Sequence, residues 1–333
     1  MAMNTYSDPL PRTLAHNSMK YLQALDKKLV MYHYGVMDTQ PKMTGKTFTK
    51  RRWLEKDADN IPLVDGVTPP SDKLEQVDVV GSLNSYGKYV TITDDQVDYS
   101  EDELIKIGIP ILSRQGMKTV ELNTGYTITR GTVIRYANGV VALGSVDSKI
   151  VDADLEVAIM RLKTKEVPEI TEVIKASTGN NTYPIPSGYI CICDTLCLKD
   201  IKALTGFKNW WEYANLMMRR PNEAGMVNEV RFVTSNIIPN YGAVGAAGAA
   251  TYINDGTHYY VYPYVIFGAE FFTVVPLAGY DKPIIYVVTN GNKGSDSDPL
   301  AQRNKVGWKI KMGSAILDDD RAVTIKACVT KTI

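Results

Sequence analysis

The sequence predicts a mixed α+β fold, and three observations carry that reading. Segments of helical and of strand periodicity interleave irregularly, with no repeated strand–helix–strand unit. Leu74 to Thr93 is a long extended run. It is followed by a long helix expected to begin near Ser100. At 333 residues the chain has room for about two domains at ~100–200 residues each, and a core that needs no staples.

The N-terminal 45 residues hold one candidate helix, Pro11 to Tyr32, with Leu14, Met19, Leu22, Leu25, Leu29 and Val30 near helical spacing. One amphipathic helix flanked by extended chain cannot bury its apolar side alone, so this segment reads as an arm that docks elsewhere. Lys46 to Trp53 reads as a strand, and Asp57 to Ser71 is crowded with turn formers such as Asp65-Gly66 and Pro69-Pro70. The run Leu74–Thr93 follows. At about 3.3 Å per residue it would reach roughly 65 Å, beyond any ordinary strand. It is either a ribbon that leaves the body or several ordinary strands broken at Gly81 and Gly87.

Ser100 is the expected N-cap of the long helix, backed by Glu101-Asp102-Glu103. Gly108 and Pro110 predict a kink or break before the helix resumes to about Arg130. Asp152–Lys163 is a second helix, Tyr183–Cys193 a buried strand, and Asp194 the cap of a helix ended by Gly206. Trp210, Tyr213, Ala214 and Met217 share a helical stripe that stops at Pro221. Val227–Thr234 is a strand, and Gly242–Ala250 a Gly/Ala loop. Strands are expected at Val261–Phe267, Phe271–Pro276, Pro283–Thr289, Val306–Ile316 and Ala322–Val329.

Charge narrows the function. The 37 Lys and Arg balance 37 Asp and Glu, which speaks against a dedicated nucleic-acid binder. That neutrality hides a polarity: residues 1–56 carry ten basic and four acidic residues, residues 57–104 two and twelve. The two blocks are either solvated faces or halves of a contact between copies. No membrane anchor is expected, because the apolar stretch Tyr260–Tyr280 contains Pro263, Glu270 and Pro276, and no export signal, because Met1 to Asp8 shows no basic segment followed by an apolar run.

The catalytic inventory is nearly empty, so the expectation is no enzyme, no cofactor and no metal. Gly45-Lys46-Thr47 lacks the upstream glycine of a phosphate loop, Gln40 standing in its place. Cys191, Cys193 and Cys197 lack a nearby fourth ligand and read as core residues in a reducing compartment. His16, His33 and His258 neighbour no nucleophile in a known motif. The acidic groups Asp57/Asp59, Asp94-Asp95, Asp296/Asp298 and Asp318–Asp320 read as solvated turns.

Several segments, in order along nearly the whole chain, resemble one family. They include Thr5-Tyr6-Ser7-Asp8 with Pro11-Arg12-Thr13, Phe48 to Trp53, and Pro62 to Pro69. Tyr86-Gly87-Lys88-Tyr89-Val90, Glu223 to Val227, Arg231 to Thr234, Asp298 to Gln302 and Val306 to Lys309 continue the series. The chain resembles the major capsid proteins of tailed phages, specifically the N4-like podophage group. The resemblance implies the Hong Kong 97-type capsid fold: an N-terminal arm (1–45), an extended-loop β-hairpin (46–93), a peripheral domain with a spine helix (94–182), an axial domain (183–280) and a return to the peripheral domain (281–333). It implies self-assembly into hexamers and pentamers of an icosahedral shell around packaged double-stranded DNA. Portal, decoration and scaffolding proteins would be further partners, with assembly in the host cytoplasm and residence in the virion. Arg51, Arg52 and Trp53, with Asp57, Asp59 and Asp65 near the ribbon tip, are the expected inter-subunit contacts. A nanocompartment shell protein is the alternative within the same fold, and a hydrolase with a discontinuous carboxylate site is the alternative outside it.

Overall fold

The computed structural model describes residues 29–56, 58–63, 65–100, 103–171, 186–213, 219–248, 251–288, 300 and 302–331. In chain order the strands are β1 (Val36–Met37), β2 (Thr47–Trp53), β3 (Gln76–Ser82), β4 (Asn84–Thr93), β5 (Ile134–Tyr136), β6 (Tyr189–Cys193), β7 (Lys208–Asn209) and β8 (Glu223–Val227). They continue with β9 (Val230–Thr234), β10 (Ala243–Ala247), β11 (His258–Phe267), β12 (Phe272–Pro276), β13 (Ile284–Val288), β14 (Arg303–Ile316) and β15 (Ala322–Cys328). The α-helices are α1 (Asp94–Tyr99), α2 (Leu104–Ile128), α3 (Asp152–Thr164) and α4 (Leu198–Lys202).

Two sheets build the body. A five-stranded sheet runs β1-β12-β14-β13, with β4 also paired to β14. An eight-stranded sheet runs β5-β15-β11-β6-β9-β8-β7, with β10 added on β11. Every residue of β6, Tyr-Ile-Cys-Ile-Cys, is buried, because a central strand covered on both faces needs an unbroken apolar run. One face, with Cys191, Cys193, Tyr264 and Ile266, packs in a core with Leu155 and Leu162 of α3. The other, with Ile190, Ile192, Val265 and Phe267, joins Leu112, Val120 and Ile128 of α2 and Val306, Trp308 and Ile310 of β14. The second core thus spans the two sheets through α2.

Helix α2 lies close on the five-stranded sheet. A Cβ at Gly116 would stand 2.8 Å from Pro283 and 3.2 Å from the Trp308 ring, so the side chain's absence permits the approach. Trp308 donates its indole N–H to Gln115 Oε1 at 3.0 Å, satisfying the one polar atom of a buried aromatic. The Pro110 expectation needs correcting: α2 runs unbroken through it. Proline forgoes one backbone hydrogen bond, a local loss that packing of the rest of the helix outweighs. Ser100 does not cap α2. It closes α1, a short helix absent from the sequence reading, and Glu103 stands at the N-cap of α2.

Other boundaries also move. The extended run divides at Leu83 and not at its glycines, β3 pairing with β2 and β4 joining β14 over ten residues. Val227–Thr234 is no single strand. Asn228 and Glu229, both at positive φ, turn β8 into β9 between the paired Val227 and Val230, as a two-residue hairpin loop requires. Ala243–Ala247 in the Gly/Ala segment forms β10, since pairing to β11 supplies the order its small side chains cannot. The stripe from Trp210 gives one 3-10 turn, and Tyr213 is already extended; Ala214 and Met217 fall outside the described residues, as does most of the Pro11–Tyr32 helix. Asp194 behaves as expected, its side chain accepting from Leu196 N–H at 2.9 Å.

Candidate assembly surface

The β2–β3 ribbon has two unlike faces. Directly paired residues share a face, so Thr47, Thr49, Arg51 and Trp53 stand with Gln76, Asp78, Val80 and Ser82. All eight are exposed. The opposite face carries Phe48, Lys50 and Arg52, and each grips the body. Phe48 is buried against Leu83 and Val275 and sits over Gly313 of β14, where a Cβ would fall 2.8 Å from its ring. Lys50 pairs with Asp38, and Arg52 with Asp318.

Beyond that anchorage the chain has no core. Every described residue from Trp53 to Asp78 is exposed, including Trp53, Leu54, Ile61, Leu63, Val67 and Leu74. Leu63 is 79% exposed and Ile61 75%. Six large apolar side chains on a loop with nothing beneath them are a surface awaiting a partner, since scattered exposure would not concentrate on one projecting segment.

The sequence-derived contact residues separate here. Arg51 lies on the free face and reaches Asp78 at 3.1 Å; Arg52 lies on the anchored face. Trp53 is free and 56% exposed. Asp59 is exposed and accepts from Ile61 N–H at 2.9 Å, Asp65 is exposed in the turn with Gly66, and Asp57 falls outside the described residues. Sequence reasoning missed Phe48 as the anchor and Asp318 as the partner of Arg52. Alternation along Thr47–Trp53 was the available signal for Phe48. Nothing in sequence pointed to Asp318, which read as part of a solvated turn. Asp319 instead holds Thr132 at 2.9 Å, and Asp320 holds Arg161 and Lys165, each at 3.3 Å.

The first described residues have an anchorage of their own. Glu121 of α2 is 1% exposed, and its carboxylate accepts from the backbone N–H groups of Val30 (2.8 Å), Met31 (2.7 Å) and Tyr32 (3.3 Å). Burial pushes this carboxyl above its ordinary range, against the opposing pull of those three N–H groups and His33. Strand β1 then pairs with β12, and Gln40 with Leu277.

Groups capable of chemistry are engaged structurally. Cys191, Cys193, Cys197 and Cys328 are free and buried. The Cys191 thiol and burial push Cys193 upward, and burial pushes Cys197 upward, away from nucleophilic thiolate. An open cleft of about 840 Å³ contains Trp210, Arg219, Arg220 and Glu223. Its carboxylate is held by Tyr213 Oη–H and Arg220 N–H, each at 2.8 Å, and Arg219 stacks 3.8 Å from the Trp210 ring. Among the described residues no three His, Cys, Asp or Glu side chains form a metal-binding group.

No protein-family model matches the chain, and no curated protein does. Solved structures match it in fold. The capsid of Ralstonia phage GP4 aligns over 100% of this chain and 99% of that chain, at 10% identity and a TM-score of 0.63. The acid-stable capsid of Helicobacter pylori bacteriophage KHP30 aligns over 98% of each, at 12% identity and 0.62. The capsid of cyanophage P-SCSP1u aligns over 94% and 92%, at 14% and 0.61. The chain therefore has the mixed α+β fold of phage capsid proteins from end to end.

Proposed function

We propose that this chain is a structural, non-enzymatic major capsid protein of a tailed phage, of the N4-like podophage group and the Hong Kong 97-type fold. The match to phage capsids over 98–100% of the chain carries the reading. In this reading hexamers and pentamers close an icosahedral shell around packaged double-stranded DNA. The arm is residues 1–45, the extended loop 46–93, the peripheral domain 94–182 with α2 as its spine, the axial domain 183–280, and 281–333 the return.

The mechanism is geometric. A loop whose apolar side chains have no cover in its own chain gains their burial only by crossing onto a neighbour. Of the proposed contacts, Arg51 and Trp53 on the free face, with Asp57, Asp59 and Asp65 beyond, meet the neighbour, while Arg52 sets the ribbon's angle. Portal, scaffolding and decoration proteins would join the same shell, assembled in the host cytoplasm. Electron microscopy of the purified chain tests the proposal: closed hollow particles are expected, with nuclease-protected DNA in those from infected cells. A chain that stays a compact soluble oligomer would overturn it.

A further inference from the structure

Between the last two turns of α2 and the five-stranded sheet lies a partly enclosed pocket of about 350 Å³. Its walls come from four places: the end of β3, the start of β4, the C-terminal end of α2 with Arg130 beyond it, and Met312 to Ser314 of β14. Asn84 and Met312 are directly paired and share a face of the sheet. Tyr86 and Ile310, the next pair on that face, pack in the core that contains α2, so the pocket lies on the helix side of the sheet. The hydroxyls of Thr127 and Ser314, 2.5 Å apart, tie helix to sheet in its wall.

The lining is rich in donors and poor in negative charge. Among the described residues it includes no aspartate or glutamate. Arg130 is exposed and makes no ion pair among the described residues. Asn123 Nδ2 is buried with no hydrogen-bond partner, so turning the amide toward an acceptor in the pocket gains a bond without breaking one. Ser82, Asn84 and Tyr126 add side-chain donors. A guanidinium without a counter-ion, surrounded by spare amide and hydroxyl groups, is the chemistry that holds an oxyanion. The negative end of the α2 dipole would oppose one, but its carbonyls are already engaged. Gly125 O accepts from Thr129 N–H at 3.1 Å and from Thr129 Oγ1 at 2.9 Å, and Thr127 O accepts from Arg130 N–H at 3.2 Å. The volume exceeds what a chloride ion could use and suits a phosphate group with several waters, each occupying about 30 Å³.

We propose that this pocket is a phosphate-binding site, with Arg130 as the charged partner and Asn123 as the buried donor. The chain passes here from the ribbon into the body, and Leu83, between β3 and β4, is buried with Phe48 and Val275 of the ribbon's anchorage. A bound phosphate therefore joins α2, β14 and the root of the ribbon, and its occupancy stiffens the ribbon where it meets the body. The site is independent of how the chain assembles. Inorganic phosphate and a nucleic-acid phosphodiester present the same group, and the test separates them.

The full chain, in phosphate-free buffer at fixed ionic strength, is followed by hydrogen exchange while inorganic phosphate is added. Amides of residues 82–86 and 123–130 should exchange about tenfold more slowly at ten times the dissociation constant, since openings of the site are suppressed by mass action. Arg130→Met should weaken phosphate binding about tenfold or more through the lost charged hydrogen bond. Asn123→Leu should also weaken it, while leaving the urea midpoint of the phosphate-free chain unchanged or higher, because a buried unpartnered amide is removed. Protection by a short DNA duplex at equal phosphate would assign the group to a phosphodiester, and protection by inorganic phosphate alone would assign it to the free anion; either supports the site. Equal protection by chloride or acetate would overturn it, as would phosphate protection that survives both substitutions, or no protection by any phosphate.

Discussion

Replacing Glu121 by alanine should free the arm junction from the body. Three backbone N–H groups converge on this carboxylate, at 2.7 to 3.3 Å. Each buried donor left without a partner costs about 1–3 kcal/mol, so holding the junction in place would cost ~3–9 kcal/mol. Releasing it to water satisfies the donors and forgoes the burial of Val30 and Met31 at about 1.5–3 kcal/mol each, along with that of Tyr32. The two routes overlap at the low end, so the expected loss is about 3–5 kcal/mol with local opening of residues 29–35. Limited proteolysis should cut the variant in that segment while sparing α2, and its urea midpoint should fall. An uncut junction and an unchanged midpoint would refute the reasoning. Glu121→Gln separates charge from shape. Burial raises the carboxyl's pKa in the folded chain, so the native state holds this proton more tightly than the unfolded one. Its stabilising share is present at low pH and is lost as pH rises through the raised value. Wild type should therefore lose ground against Glu121→Gln as pH climbs from the acid range to neutrality; a widening advantage would contradict the assignment.

Phe48→Ala should cost about 3 kcal/mol, the low end for a buried phenylalanine, and expose residues 47–82 to protease without unfolding the two sheets. Gly313→Val should lift the same ribbon base, because a Cβ there would lie 2.5 Å from the Ser82 carbonyl oxygen. Arg52→Glu and Asp318→Arg should each loosen the ribbon, and the swapped pair should recover about 1–2 kcal/mol as coupling in a double-mutant cycle, with Asp318's Arg321 contact limiting the recovery. All four cysteines should resist an aromatic disulfide reagent in the folded chain and react once it is unfolded, which counting released thiolate at pH 8 would check.

How much was readable depended on how local the cause was. Strands β11, β14 and β15 and helix α3 announced themselves within about three residues, and β6 at its C-terminal end, because burial imprints periodicity on the segment itself. Turn chemistry misled where tertiary pairing overrode it. The β8–β9 turn uses Asn228 and Glu229 at positive φ, and glutamate is no turn signal. Pro110 signalled a break that the packed face of α2 does not take. The exposed loop between β2 and β3 was visible in the density of turn formers, whereas the long extended run that follows divides between the ribbon and the body sheet.

The sequence by itself determined the α+β class, the most strongly periodic elements, the polarity of charge between residues 1–56 and 57–104, and the want of a catalytic motif. Each follows from composition or from short-range periodicity. Only the tertiary structure decided that Glu121 holds the backbone of Val30 to Tyr32, that Arg52 belongs to Asp318, and that the lysines of β14 share one face of the five-stranded sheet. Those facts join residues brought together by sheet register and helix packing across most of the chain. Register sets which side of a strand faces outward, and the partners that fix it lie in other segments.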